Sequence, residues 1–209
     1  KNQLARPPVA NVDCAIGVTA CIEPDFSSNL LDRQLVMLSE NEIVPILYFS
    51  KADLMDETTK ERMLPVFDYY SKYYRTVVSE KNMADEELVS ALLEEAGNVL
   101  VVMGQTGAGK STLLNRLDPK LKLETGEISK ALSRGRHTTR KVSLMDVKGH
   151  LIADTPGFSS FELREIEKER LSSLFEDFNE YSPQCRFRGC LHLNEPDCAF
   201  KAAVLEGKI

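Results

Sequence analysis

Two hundred and nine residues, 43% hydrophobic and 28% charged, can bury one substantial core, or one core with a small appended module. A formal net charge of -6 argues against broad electrostatic attraction to nucleic acid, and no apolar run approaches membrane-spanning length. The opening residues, Lys1 to Pro8, lack the apolar stretch of a secretory signal, so a cytoplasmic location is expected.

Short β-rich runs alternate with helical patterns, which predicts an α/β sheet of βα units. The first strand is expected at 13–20, where Cys14 and Cys21 read as buried small hydrophobes. Leu30, Leu31, Gln34, Leu35 and Leu38 then follow helical spacing. A strand at 44–49 leads into Ser50-Lys51-Ala52-Asp53. There a carboxylate can accept together from the N1–H and exocyclic amine of guanine, and Lys51 can lay its stem along the base or over a neighbouring loop. A strand at 75–79 precedes Ser79-Glu80-Lys81, which could offer a backbone N–H to guanine O6. Leu88, Leu92 and Leu93 mark another helix, behind an acidic run that reads as a solvated face.

The strand at 98–103 opens the strongest signal in the chain. Gly104-Gln105-Thr106-Gly107-Ala108-Gly109-Lys110-Ser111-Thr112 reads G-x-x-x-x-G-K-[ST]. Its glycines let successive N–H groups turn toward phosphate oxygens, and Lys110 can reach the outer phosphates. The Ser111 hydroxyl can ligate Mg²⁺, and a helix at 110–117 aims its positive end at the same anion. The stretch 125–141 is polar and basic and reads as an exposed mobile loop. Within it, Gly135-Arg136-His137-Thr138-Thr139-Arg140 places Thr139, with Thr138 behind it, to give Mg²⁺ a second hydroxyl. Strands at 142–147 and 151–153 end on Asp154-Thr155-Pro156-Gly157, where Asp154 can hold Mg²⁺ through water and the Gly157 N–H can meet a γ-phosphate.

A boundary is expected near 165, giving one domain over 1–165 and a second part over 166–209 that begins with a charged helix and has no closing element. In the second part Cys185, Cys190, His192 and Cys198 supply three thiolates and an imidazole. Such a set suits tetrahedral Zn²⁺ in a structural role, the alternatives being a disulfide with a free thiol, or unconnected cysteines.

The base-reading stretch lies upstream of the phosphate loop, an inverted order. In that order the pieces resemble the RsgA (YjeQ/YloQ) family of circularly permuted GTPases over nearly the whole chain. Ser50–Asp53 matches the family's N-K-x-D, 104–112 its phosphate loop, 135–140 its G-R-H-T-T-R switch, 154–158 its D-T-P-G-F and 185–198 its zinc pattern. The resemblance implies a permuted P-loop GTPase domain with a small C-terminal zinc-binding helical module. It also implies GTP hydrolysis in late maturation of the small (30S) ribosomal subunit, stimulated by that subunit, with rRNA, GTP and GDP as partners, no membrane, and a monomer. The family's N-terminal OB-fold barrel has no counterpart in these 209 residues.

Ser50 stands where the family has asparagine, so weaker guanine affinity is expected. Phe158 stands where many GTPases have a water-orienting glutamine, so slow intrinsic turnover is expected. His137 could orient the water as a neutral imidazole; alternatively it contacts phosphate or RNA, or is exposed. Two other functions compete: a nucleotide-switched RNA-binding module with negligible turnover, and an ATP-dependent P-loop enzyme.

Overall fold

A computed structural model of the chain describes residues 11–124, 143–154 and 166–209. The elements are β1 (Cys14–Ala20), α1 (Ser28–Glu40), β2 (Val44–Ser50), α2 (Glu57–Tyr73), β3 (Arg75–Val78), α3 (Asp85–Leu93), β4 (Val99–Met103), α4 (Lys110–Leu117), β5 (Ser143–Val147) and β6 (His150–Asp154). After them come α5 (Lys168–Leu171), α6 (Glu176–Tyr181) and α7 (Ala199–Leu205), with single 3-10 turns at Ala52–Leu54, Ser172–Leu174 and Ser182–Gln184.

The strands form one sheet in the order β3-β2-β1-β4-β6-β5, parallel except for β5 against β6. Strands buried on both faces should be near-continuous apolar runs, and β1, β2 and β4 are. Alternation along β2 assigns the two layers. Ile46 and Tyr48 pack in the cluster holding Leu88, Leu92, Leu113, Leu114 and Leu117 of α3 and α4. Leu47 and Phe49 face Leu31 and Leu35 of α1 and Met63 and Tyr70 of α2. From β1 the chain winds outward through β2 to β3, then returns to place β4 on the other side of β1. The crevice at the carboxyl ends of β1 and β4 is therefore the topological switch point, where open α/β sheets bind ligands.

Both β1 and β4 are anchored at their starts by Asp13. Its carboxylate accepts the N–H groups of Asn98 and Val99 at 2.7 and 2.9 Å, while its own N–H donates to the Val99 carbonyl and its carbonyl accepts from Val44. The Val99 and Asn98 amides hold the Asp13 carboxyl below its usual range. A depressed folded-state pKa stabilises above the unfolded value, about 4, and that stabilisation is lost as pH falls through the folded value. Asp13→Ala is thus expected to lower the unfolding midpoint at neutral pH and to flatten the loss of stability on acidification below about pH 4, as read by denaturant titration at several pH values.

Two elements differ from expectation. The 17-residue α2 carries little periodic signal: Met63 and Tyr70 are its buried residues and Pro65 lies inside it. Its start is set by Asp56, whose side chain accepts the Thr59 N–H at 2.8 Å. The C-terminal part also carries a helix, α7, that its sequence pattern did not announce. Residues 125–142, including the whole basic stretch, lie outside the described residues.

The C-terminal part docks on α1 and α2. The Tyr69 hydroxyl donates to buried Asp177 at 2.6 Å, and Arg170 pairs with Glu40 at 3.0 Å. Lys72 reaches Glu180 at 3.3 Å, but both are half exposed and the pair contributes little. Burial, with the Asp177 carboxylate beside it, pushes the Tyr69 phenol well above its ordinary range, so it remains a donor.

Candidate functional site

At the end of β4 the chain turns through Gly104, at φ +143°, and passes so close to β1 that a Cβ there would run into the Val18 carbonyl. Gly107 and Gly109 also hold left-handed conformations, φ +83° and +95°. Lys110, the first residue of α4, is 7% exposed, and its ammonium donates to the Gly104 and Gln105 carbonyls at 2.7 Å each. Ser111 is buried beside it, while Gln105, Thr106 and Thr112 are exposed and Ala108 is buried. The result is a compact loop whose N–H groups and one cation border the switch point.

The Ser50–Asp53 stretch lies at the end of β2, next to that loop. The Ser50 hydroxyl donates to the Ala108 carbonyl at 2.5 Å and lies 3.5 Å from the Thr19 carbonyl. Ser50 faces the backbone of the phosphate loop, as a strut between two loops. Lys51 takes a left-handed conformation, φ 61°, and its ammonium donates to the Glu23 carbonyl. Asp53 sits exposed on the 3-10 turn.

Ser79 does not offer its N–H to a base but uses it within the sheet. Its buried hydroxyl accepts the Ala52 N–H at 2.9 Å while its own N–H donates to the Phe49 carbonyl at 2.8 Å. It pins the turn that carries Asp53, and a serine directly after a strand was the one local hint. Losing a buried hydroxyl that satisfies a backbone group costs about 1–2 kcal/mol. Ser50→Ala is expected to weaken guanine-nucleotide affinity about five- to tenfold through the loosened loop, measured by titration with a fluorescent GDP analogue.

Asp154 closes β6 and is paired across the sheet with Ser143. His137, Thr138, Thr139, Gly157 and Phe158 lie outside the described residues.

The four C-terminal ligand candidates converge. One ligand atom from each of Cys185, Cys190, His192 and Cys198 lies within 4.8 Å of all the others. The Sγ atoms of Cys185 and Cys198 are 4.0 Å apart, and His192 Nδ1 is 3.3 Å from Cys198 Sγ and 3.7 Å from Cys185 Sγ. Thiolates bound at about 2.3 Å around a tetrahedral ion would lie about 3.8 Å apart, so the cluster fits a metal with little movement. All five cysteines are free thiols in this structure. Burial raises the Cys185 thiol, but the Phe200 and Ala199 amides and the Cys198 and Cys190 thiols outweigh it and leave its pKa below the ordinary value. Burial pushes Cys190 up to about 11. Around the cluster, Phe178 stacks on Phe200 at 3.6 Å and meets the His192 ring edge-on at 5.1 Å.

Among the described residues, no helix is long and apolar enough to cross a membrane. A family model described as RsgA GTPase matches residues 1–164. A curated relative from Limosilactobacillus reuteri, named small ribosomal subunit biogenesis GTPase RsgA, is 54% identical over 100% of this chain and 71% of its own length. The protein of the same name from Streptococcus pneumoniae is 48% identical over 100% of this chain and 68% of its own. The solved structure of YloQ, described as a circularly permuted GTPase, superposes with a TM-score of 0.77 at 38% identity, covering 100% of this chain and 66% of that one. YjeQ from Thermotoga maritima superposes with a TM-score of 0.81 at 34% identity, covering 100% and 70%. The chain thus spans 66% to 71% of the length of these proteins. A phosphate-loop motif beside the Ser50–Asp53 turn, in inverted chain order, accords with that match: the chain belongs to the RsgA GTPase family.

Proposed function

We propose that this chain is a GTP hydrolase that assists late maturation of the small ribosomal subunit and turns over fastest when bound to it. The observation that carries the reading is the knitting of three loops at one sheet edge: Ser50 ties the base turn to the phosphate loop, and Ser79 ties it to the end of β3. Base recognition and phosphate binding are thereby held in one rigid frame, although the chain visits the pieces in permuted order. The domain comprises residues 1–165, with a zinc-binding module over 166–209.

In this reading Asp53 accepts from the guanine N1–H and amine, while Lys51 packs along the base. Gly104 to Gly109 and Thr112 surround the phosphates, and Lys110 stabilises charge that builds on the outer ones as water attacks. Ser111, Thr139 and Asp154 are the residues that would hold magnesium, which when bound with the nucleotide would offset charge building on the phosphates. Gly157 meets the γ-phosphate. Phe158 cannot position water, so His137, together with the ribosomal partner, takes that task. Cys185, Cys190, His192 and Cys198 would hold zinc, closing the module structurally and presenting it to rRNA. The location is cytoplasmic and the chain acts as a monomer.

Phosphate release from GTP with and without purified small subunits tests the reading. Release should be slow alone and rise on adding subunits, with ATP competing weakly for the site. GTP binding with no release under either condition would instead favour a nucleotide-switched binding module, and preference for ATP would remove the role given to Asp53.

A further inference from the structure

Ser182 touches two of the candidate metal ligands at once. Its carbonyl accepts the Cys185 N–H at 3.2 Å, and its hydroxyl lies 3.1 Å from Nε2 of His192. The other ring nitrogen, Nδ1, faces the sulfurs of Cys198 and Cys185. An imidazole ligates a metal through a lone pair, so Nδ1 must be bare and the ring proton must sit on Nε2. In that tautomer Nε2–H is a donor, and the Ser182 oxygen is the acceptor within reach.

Among the described residues, no other contact on the ring does this. Phe178 and Phe200 confine the imidazole, with centroids 5.1 and 5.5 Å away, but they are apolar and would pack as well against a ring turned over. The nearby Glu195 carboxylate is engaged by the N–H groups of Leu191, Leu193 and Asn194. The backbone gives no relaxed default either, because His192 is held at φ +59°, a strained conformation for a residue other than glycine.

We propose that Ser182 is a positioning residue for the metal site: its hydroxyl fixes His192 in the tautomer and orientation that present Nδ1 to the ion, while its carbonyl seats Cys185. The proposal rests on reading the Cys₃His cluster as a zinc site. Outer-shell partners of this kind change metal affinity about 10- to 100-fold when removed.

The test uses the full chain as the parent, Ser182→Ala, Ser182→Thr, His192→Cys and the double variant Ser182→Ala with His192→Cys. Zinc affinity is measured by competition with a chromophoric chelator, and Co²⁺ loaded in place of zinc reports ligand geometry through its visible bands. Ser182→Ala should bind zinc about 10- to 100-fold more weakly and alter the Co²⁺ spectrum, and Ser182→Thr should restore both. With Cys at position 192 there is no tautomer to choose, so adding Ser182→Ala should change affinity little. Parent-like affinity and spectrum in Ser182→Ala would overturn the proposal. So would an equal loss in the His192→Cys background, or a threonine variant as weak as alanine. A parent chain that takes up no zinc would sink the metal reading itself, and GDP-analogue binding measured alongside keeps either result separate from the nucleotide site.

Discussion

Replacing Lys110 by alanine is expected to weaken GDP and GTP binding by at least about a hundredfold and to leave GTP hydrolysis undetectable above background. Lys110 is 7% exposed, and its ammonium lies against the phosphate loop, held by the Gly104 and Gln105 carbonyls. Removing it takes away the loop's cation and leaves those two carbonyls pointing at a bound polyphosphate without their donor. The fold should survive, because alanine is the best helix former and position 110 is the first residue of α4. Lys110→Arg is expected to fail as well: a planar guanidinium is larger than the ammonium and cannot reproduce its compact fit beneath Gly104, which is already pressed against the Val18 carbonyl. Isothermal titration with GDP, beside a thermal melt, separates lost binding from lost folding. Affinity within a few-fold of the parent would refute the phosphate-site assignment.

Lys110 also illustrates what a linear reading can find. The phosphate loop, α4 and most strands were legible because their signals are local: glycine spacing, a lysine at a fixed offset, and apolar runs bounded by turns. The strands differ from expectation by about a residue at their ends, where local pattern is weakest. Helix α2 was not legible because its packing is aromatic. Tyr69, Tyr70, Tyr73 and Tyr74 cluster against Phe49 and the C-terminal part, so the burial falls on residues that also read as surface. The struts were hidden for another reason. Ser50 to Ala108, Ser79 to Ala52, Asp13 to Asn98 and Tyr69 to Asp177 join residues 27 to 108 positions apart, and nothing local marks a serine or aspartate as the end of a long-range hydrogen bond. Long-range contacts of this kind make the site rigid, and they exist only once the sheet has formed.

The same contrast between local signal and global packing governs the C-terminal module, where metal loss is expected to have the larger structural effect. Its buried apolar residues are Leu174, Cys190, Cys198 and Ala203, two of which are metal-ligand candidates. Ordering a backbone costs about 1–2 kcal/mol per residue, so this core cannot hold 182–205 in place without help. Zinc bound to such a set would contribute on the order of 10–16 kcal/mol, a large share of what that ordering needs. Cys198→Ser is the sharpest probe. The Cys198 side chain also caps α7 by accepting the Lys201 N–H at 3.4 Å, and serine is a good N-cap, so the variant removes a metal ligand while keeping a cap. It should lose stoichiometric zinc and show fast amide exchange across 182–205, and through Asp177 it should release α6 from Tyr69. The sheet should stay protected, because its core draws on α1, α2, α3 and α4 and not on the zinc ligands. GDP-analogue affinity should therefore change little, whereas stimulation of GTP turnover by small subunits should fall sharply. Protection across 182–205 that survives both this substitution and complete metal removal would mean that the module is held by packing, and that the cysteines serve some other end.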